Sequence, residues 1–307
     1  MATTWANRRR ARIDDLATGR SLGADALVRL RRNPVAIVGA VIIALFILVS
    51  IFAPWIAPHD ASQSFPELQE GLRPDVIPGA QPGFPLGSDQ NGRDFFSRMI
   101  LASRQTLLVG VFATLIGLIF GVLIGVLAGA FGGWVDTLLM RFTDVLLSIP
   151  SLLLAISIAA LAAKPSQTTV IIAVAIVGVP IFARLLRGSM LAQRDSDHVT
   201  AATALGVKRR AIVLRHMVPN AIGPVIVQAT LTLATAILDA AALSFLGLGD
   251  GDPARAEWGL MLANAQAYLD VRPALAFYPA IAIILVALGF TLLGEALREA
   301  LDPKGRR

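Results

Sequence analysis

Long apolar runs alternate with polar, arginine-rich stretches along this chain. Val35–Ala57 and Leu107–Phe131 carry no charge at all. Each is long enough to cross a hydrocarbon core about 30 Å thick as an α-helix. Asp136–Ala163, Ser166–Ala183, Ala221 to about Gly249 and Ala274–Gly294 are apolar runs with few charges. The pattern predicts an all-α, polytopic membrane protein with six transmembrane helices. Pro150 is expected to kink the third, because proline removes a helical hydrogen bond and crowds the preceding turn.

The polar stretches set the orientation. Residues 1–33 carry eight arginines, among them Arg8, Arg9 and Arg10, and residues 184–220 carry Arg184, Arg187, Arg194, Lys208, Arg209, Arg210 and Arg215. The tail ends in Lys304, Arg306 and Arg307. These three regions fall on one side by parity, and the positive-inside bias makes that side cytoplasmic. Both termini are therefore expected inside. Acidic residues concentrate at 59–104 and 250–273, the outer segments. The expected organisation is a basic N-terminal segment over 1–33, a first transmembrane helix over 34–58 and an extracytoplasmic segment over 59–104. A core of five helices follows over 105–297, with a cytoplasmic loop at 184–220 and an outer loop at 250–273, and a cytoplasmic tail spans 298–307. The first apolar run is too long for a secretory signal, so it reads as an uncleaved helix.

Composition narrows the function classes. The chain of 307 residues is 55% hydrophobic and 16% charged, with mean hydropathy +0.69. Soluble domains carry roughly 25% charged residues. The net charge of +6 sits in loops between spans, which argues against nucleic-acid binding. There are no cysteines, and His59, His198 and His216 form no metal-ligand spacing. No phosphate-binding GxxxxGK[ST] loop occurs, so ATP, if it is used, is bound by another chain. Clustered catalytic groups are absent from the sequence, so it does not read as an enzyme.

Several positions carry candidate chemistry. Gly117, Gly121, Gly125 and Gly129 recur every fourth residue, on nearly one helix face. They suit close helix packing, with substrate contact as the other reading. Arg141 and Asp144 are spaced to pair across one turn. Asp239 interrupts an apolar run. It is either a pathway or subunit-interface residue, or an acid at headgroup level. Gln228, Thr230, Thr232 and Thr235 could line a polar pathway or make helix–helix hydrogen bonds. Gly92, Arg93 and Asp94 read as a turn and ion pair that brace the outer segment, or as a contact with another protein outside.

Asp195–Asn220 reads as helix, turn, helix. Asp195 or Asp197 can cap a helix over Asp197–Leu205. Gly206 supplies the turn, and a second helix over Arg209–Met217 ends at Pro219. Ala201, Ala202 and Ala204 give the first helix a small-residue face. Such a face can lie in a groove on another protein, or the pair can rest on lipid headgroups.

This segment resembles the EAA loop of permeases from binding-protein-dependent ABC importers. Thr200, Ala201, Ala202, Gly206, Ile212 and Pro219 occupy its positions, with Thr200 where glutamate is frequent. Leu86–Gly110, LGSDQNGRDFFSRMILASRQTLLVG, resembles a stretch of dipeptide and oligopeptide permease C subunits. Ala242–Asp250, ALSFLGLGD, followed by Trp258-Gly259, resembles another. The resemblance covers roughly residues 30–302. It implies a type I ABC importer permease in a bacterial plasma membrane. A second, homologous permease would complete a heterodimer, two cytoplasmic ATPase subunits would bind ATP and Mg, and an extracytoplasmic solute-binding protein would deliver di- or oligopeptides. This chain would bind no cofactor and couple to an ATPase through Thr200–Pro219. Alternatives are another small solute, such as nickel or glutathione, or a stand-alone secondary transporter.

Overall fold

A computed structural model describes residues 22–70, 76–252 and 255–301. Arg8 to Arg20 and the tail cations Lys304, Arg306 and Arg307 lie outside those residues. A short helix α1 (Leu22–Leu30) precedes α2 (Pro34–Ile56), the first long apolar helix. Asn33 caps α2, its Oδ1 accepting from Val35 N at 2.9 Å. This oxygen satisfies one of the amides that a helix start leaves unpaired. Trp55 stands exposed at the outer end, as an interface anchor should.

The remaining long helices are α3 (Phe95–Phe131), α6 (Gln167–Arg194), α10 (Gly223–Phe245) and α12 (Ala274–Leu301). Between α3 and α6, α4 (Gly133–Ser148) and α5 (Ser151–Ala160) meet at a 94° bend. Together they form the sixth candidate span. Proline disfavours the helical conformation in the residue before it, and Ile149 is extended at φ −92°, ψ 130°. Pro150 thus breaks the helix outright, a larger effect than the expected kink.

Three helices run further than their apolar stretches. α3 begins at Phe95, within the expected 59–104 outer segment, because Asp94 caps it there. α6 passes Ala183 and continues to Arg194, so the first residues of the expected 184–220 loop are helical. α12 continues past Gly294 to Leu301. Apolar composition marks the part of a helix that lipid touches, not where the backbone stops. Pro180 lies inside α6 without ending it, which neighbouring helices permit in membrane spans.

The centre of the fold is the contact between α3 and α6. All four glycines of the expected face turn toward α6. A Cβ on Gly117 would meet Ala175 O at 2.9 Å, and one on Gly121 would meet Phe182 Cβ at 2.5 Å and Val179 O at 2.7 Å. Gly125 and Gly129 abut Ala183 and Met190 in the same way. Backbone therefore approaches backbone along several turns, where dispersion replaces the hydrophobic drive that lipid removes. Gly121→Ala should cost about 1–3 kcal/mol through overpacking. Its thermal unfolding in detergent should shift downward, and Gly121→Leu should fail to accumulate as folded subunit. An unchanged melting temperature for Gly121→Ala would show that the helices do not approach this closely.

The outer segment packs as a cap on the helix ends. Asp89 is buried, and its Oδ2 accepts from Arg93 Nε at 2.7 Å while Arg98 Nε lies at 3.4 Å. Its Oδ1 accepts from the Asn91 and Arg93 amides. The Arg98 guanidinium, 1% exposed, also donates to Ala61 O. Asp94 accepts from the Phe96 and Ser97 amides, and His59 Nδ1 lies 3.0 Å from it. Gly92 turns the chain at φ +70°. Gly92, Arg93 and Asp94 thus sit in the brace between cap and helix. Arg272 ties the far loop to this cap, donating to Ile77 O and Leu86 O.

Candidate functional site

Beyond α6 the chain folds into a compact helix pair. α7 (Asp197–Ala204) follows α6 directly, and Gly206 at φ +74° makes the turn. Only glycine enters that region without strain. Ser196 occupies the N-cap position and makes no side-chain capping bond, so neither Asp195 nor Asp197 is the cap. Asp197 instead lies in the first turn, where its charge suits the helix dipole.

The faces of α7 differ from the sequence expectation. Ala202 and Val199 are buried, at 7% and 6% exposure, against Leu186 and Met190 of α6 and Ile212, Val213 and Met217 beyond the turn. Ala202 therefore seats the helix rather than presenting it. Thr200, Ala201 and Ala204 face outward. Beside them Leu205 is 83% exposed, at the tip next to Gly206. An isolated exposed leucine is ordinary, but this one extends the small-residue face at a sharp turn. The expected helix ran to Leu205; α7 ends at Ala204, and Leu205 stands at its C-cap.

The second helix departs further. α8 (Arg209–Ile212) runs into a π-helical turn over Val213–Met217 and then α9 (Val218–Ala221). Pro219 lies within this continuous path and does not end it. The Val218 amide bonds to Val213 O, five residues back. That wider turn makes room for the proline ring, which has no N–H to give Arg215 O. Chain direction changes only at Ile222-Gly223. Arg209 reaches the C-terminal end of α3, donating to Ala130 O. A guanidinium there satisfies a carbonyl at the negative end of the helix dipole. Ile212 is buried in the same small core.

α10 carries the candidate pathway residues. Gln228, Thr232, Thr235 and Asp239 fall at i, i+4, i+7 and i+11, one stripe of the helix. Gln228 Nε2 donates to Thr232 Oγ1 at 3.3 Å, and Thr235 Oγ1 bonds Thr232 O at 3.0 Å. Thr230 turns its hydroxyl to Val227 O. Asp239 lies inside the helix, which runs on to Phe245, so the acid does not interrupt the span. Its half-buried carboxylate has no hydrogen-bond or ion-pair partner among the described residues. At the inner end of the stripe, Gln228 joins an open groove of about 680 Å³ between α4, α6 and α10.

Asp144 also has a different partner from the expected one. It pairs with Arg184 of α6, not with Arg141 one turn away. Nearby, Arg187 makes two bonds to Asp136. Both acids on α4 thus bridge to α6, a pairing between helices that spacing within one helix cannot reveal.

At the outer end, α11 (Trp258–Ala265) lies on α10. A Cβ on Gly259 would meet Ala241 O at 2.4 Å, which accounts for glycine there. Trp258 Nε1 donates to Met99 O at 3.0 Å. Glu257 accepts from Ser244 Oγ at 2.6 Å. Burial pushes the Glu257 carboxyl up from its ordinary value of 4.5; the Ser244 bond opposes this and the nearby Asp250 charge adds to it. Folding thus favours the protonated form. The stabilising contribution is full below the unfolded value and is lost as pH rises through the raised one. Glu257→Gln should therefore raise the melting temperature at neutral pH and flatten its dependence between acid and neutral pH. A lowered melting temperature at neutral pH would contradict this.

No group of three or more histidine, cysteine or acidic residues suited to a metal occurs among the described residues. Residues 121–307 match the family described as binding-protein-dependent transport system inner membrane component. Residues 21–74 match the N-terminal transmembrane domain of oligopeptide transport permease C. A dipeptide transport system permease of Alkalihalophilus pseudofirmus is 44% identical over 95% of this chain and 93% of its own. A glutathione transport system permease of Shigella flexneri is 45% identical over 90% and 88%. Among solved structures, an inward-facing form of the MetNI methionine ABC transporter matches with TM-score 0.56 at 16% identity, over 67% of this chain and 97% of that one. At that identity the likeness concerns fold alone.

Proposed function

Given that the chain belongs to the binding-protein-dependent transport system inner membrane components and is a multi-pass permease subunit of an ATP-binding-cassette importer, we propose that its cargo is di- and oligopeptides. The observation that carries this reading is the relationship to a dipeptide permease along nearly the whole of both chains. The OppC-type N-terminal match supports it.

In this reading the subunit forms half of the translocation pathway, beside a second, homologous permease. A solute-binding protein delivers peptide at the capped outer face. Two ATPase subunits bind ATP and Mg on the inside, and this chain hydrolyses nothing. Thr200, Ala201, Leu205 and Gly206 form the surface gripped by one ATPase. Ala202, Ile212 and the turn around Pro219 fix that surface to α6. ATPase closure then moves α6 and the helices locked to it, so nucleotide at one end and loaded binding protein at the other bias the same two-state switch. Gln228 and Asp239, the partly exposed members of the α10 stripe, face the path or the second permease, whereas Thr232, expected beside them, is buried within the subunit. An unpartnered carboxylate at membrane depth is costly against lipid, which favours such a face.

A relative at 45% identity favours glutathione, itself a tripeptide, as the second reading. A competition experiment separates the two. The purified complex, with its binding protein, should hydrolyse ATP faster in the presence of dialanine than of glutathione. Stimulation by glutathione alone would transfer the assignment to that solute.

A further inference from the structure

The groove at the inner end of the α10 stripe has one charged residue, Arg184, in its lining. Arg184 of α6 and its ion-pair partner Asp144 of α4, which lies beside the groove rather than in its lining, are each about half exposed. The other walls are largely apolar, with Leu147, Ile181 and Leu185 among them, and Gln228 and Ser189 add polar groups. Arg184 lies roughly 25 Å along α6 from its outer end, at the inner margin of the hydrocarbon core. The volume of about 680 Å³ suits a small molecule rather than a single ion.

We propose that this groove is a substrate-contact site at the cytoplasmic mouth of the pathway, selective for dipolar ligands with free amino and carboxyl ends. The Arg184 guanidinium takes the carboxylate, and Asp144 takes the ammonium. The inference rests on the peptide reading above.

The chemistry follows from charge balance. Each charge stays partly solvated, so the pair can open to a ligand at little cost, but only an oppositely charged group replaces what it gives up. A zwitterion exchanges one ion pair for two, and no charge is left alone. A peptide blocked at either end leaves one of the two residues without a counter-charge. Gln228 places the groove at the inner end of the α10 stripe. An exposed pair of this kind contributes little to stability, which leaves its position at the groove to be accounted for.

The absence of native cysteine allows a direct test. Ser189→Cys, in a complex whose other chains have no accessible cysteine, is labelled with a maleimide in the absence of nucleotide. Free dialanine should slow labelling. N-acetyl-dialanine and dialanine amide should protect about tenfold more weakly, the loss of one charge-assisted contact. Arg184→Gln and Asp144→Asn should each remove the distinction between free and blocked ligands without shifting the melting temperature. Labelling that is unaffected by dialanine, or equally slowed by all three ligands, would overturn the inference. Uptake by the unlabelled wild-type complex is measured in parallel, so uptake without protection condemns the groove and leaves the peptide reading standing.

Discussion

Leu205→Asp should cut ATP-driven uptake by about tenfold or more while leaving the subunit folded. Leu205 is 83% exposed and sits at the tip of α7, beside the Gly206 turn. Among the described residues little packs on it, so stability should hold within the range ordinary for surface changes. In the proposed function its role is contact with an ATPase subunit. A carboxylate buried in an apolar groove on the ATPase would need desolvation without a partner, which costs far more than the lost methyl groups. Uptake and basal ATP hydrolysis should separate, with hydrolysis no longer stimulated by loaded binding protein. Ala201→Arg should behave alike, since Ala201 shares that exposed face. Ala202→Arg should instead destabilise the subunit, because Ala202 is packed against α6. Equal uptake by wild type and Leu205→Asp, in complexes of equal subunit content, would remove the proposed docking surface.

Asp89→Ala should destabilise the subunit by about 3–5 kcal/mol, the cost of removing one partner from a buried ion cluster. One carboxylate serves both Arg93 and Arg98 and also accepts two backbone amides. Its loss strips a shared counter-charge from two buried guanidinia. The cap should loosen from the outer ends of α3 and α11, and the melting temperature should fall steeply. Asp89→Asn keeps the shape and one acceptor, so it should fall between wild type and alanine. If Asp89→Ala melted like wild type, the cluster would not hold the cap.

Lipid-facing architecture was legible in the sequence because a bilayer imposes a length and a polarity on each span. The apolar runs and their order follow from that constraint alone. The helix ends did not, since caps rather than apolarity set them. Asp94 starts α3 well before the apolar run, and α6 outlasts its run through Pro180 to Arg194. The glycine spacing from Gly117 to Gly129 marked a helix face, and the partner helix, α6, came only from the three-dimensional arrangement.

The candidate site was legible in part. Gly206 and the helix–turn–helix order of the coupling segment follow from local rules of backbone and capping. Which alanine faces inward does not, because a helix of small residues has no strong apolar side. Ala202 is fixed by what α6 and the second helix present to it. Asp144 shows the same limit from electrostatics. Arg141 is nearer in sequence, yet Arg184 on another helix takes the carboxylate. The π-turn before Pro219 is a backbone response to missing N–H geometry, for which residue order gives no direct signal.

Uptake of labelled dialanine into proteoliposomes tests the central claim most directly. The vesicles contain this chain, its second permease and the two ATPases, with binding protein outside and ATP enclosed. Accumulation that requires both ATP and binding protein is the predicted result. Accumulation driven by an ion gradient through this chain alone, with no ATP present, would contradict it and make the protein a secondary carrier.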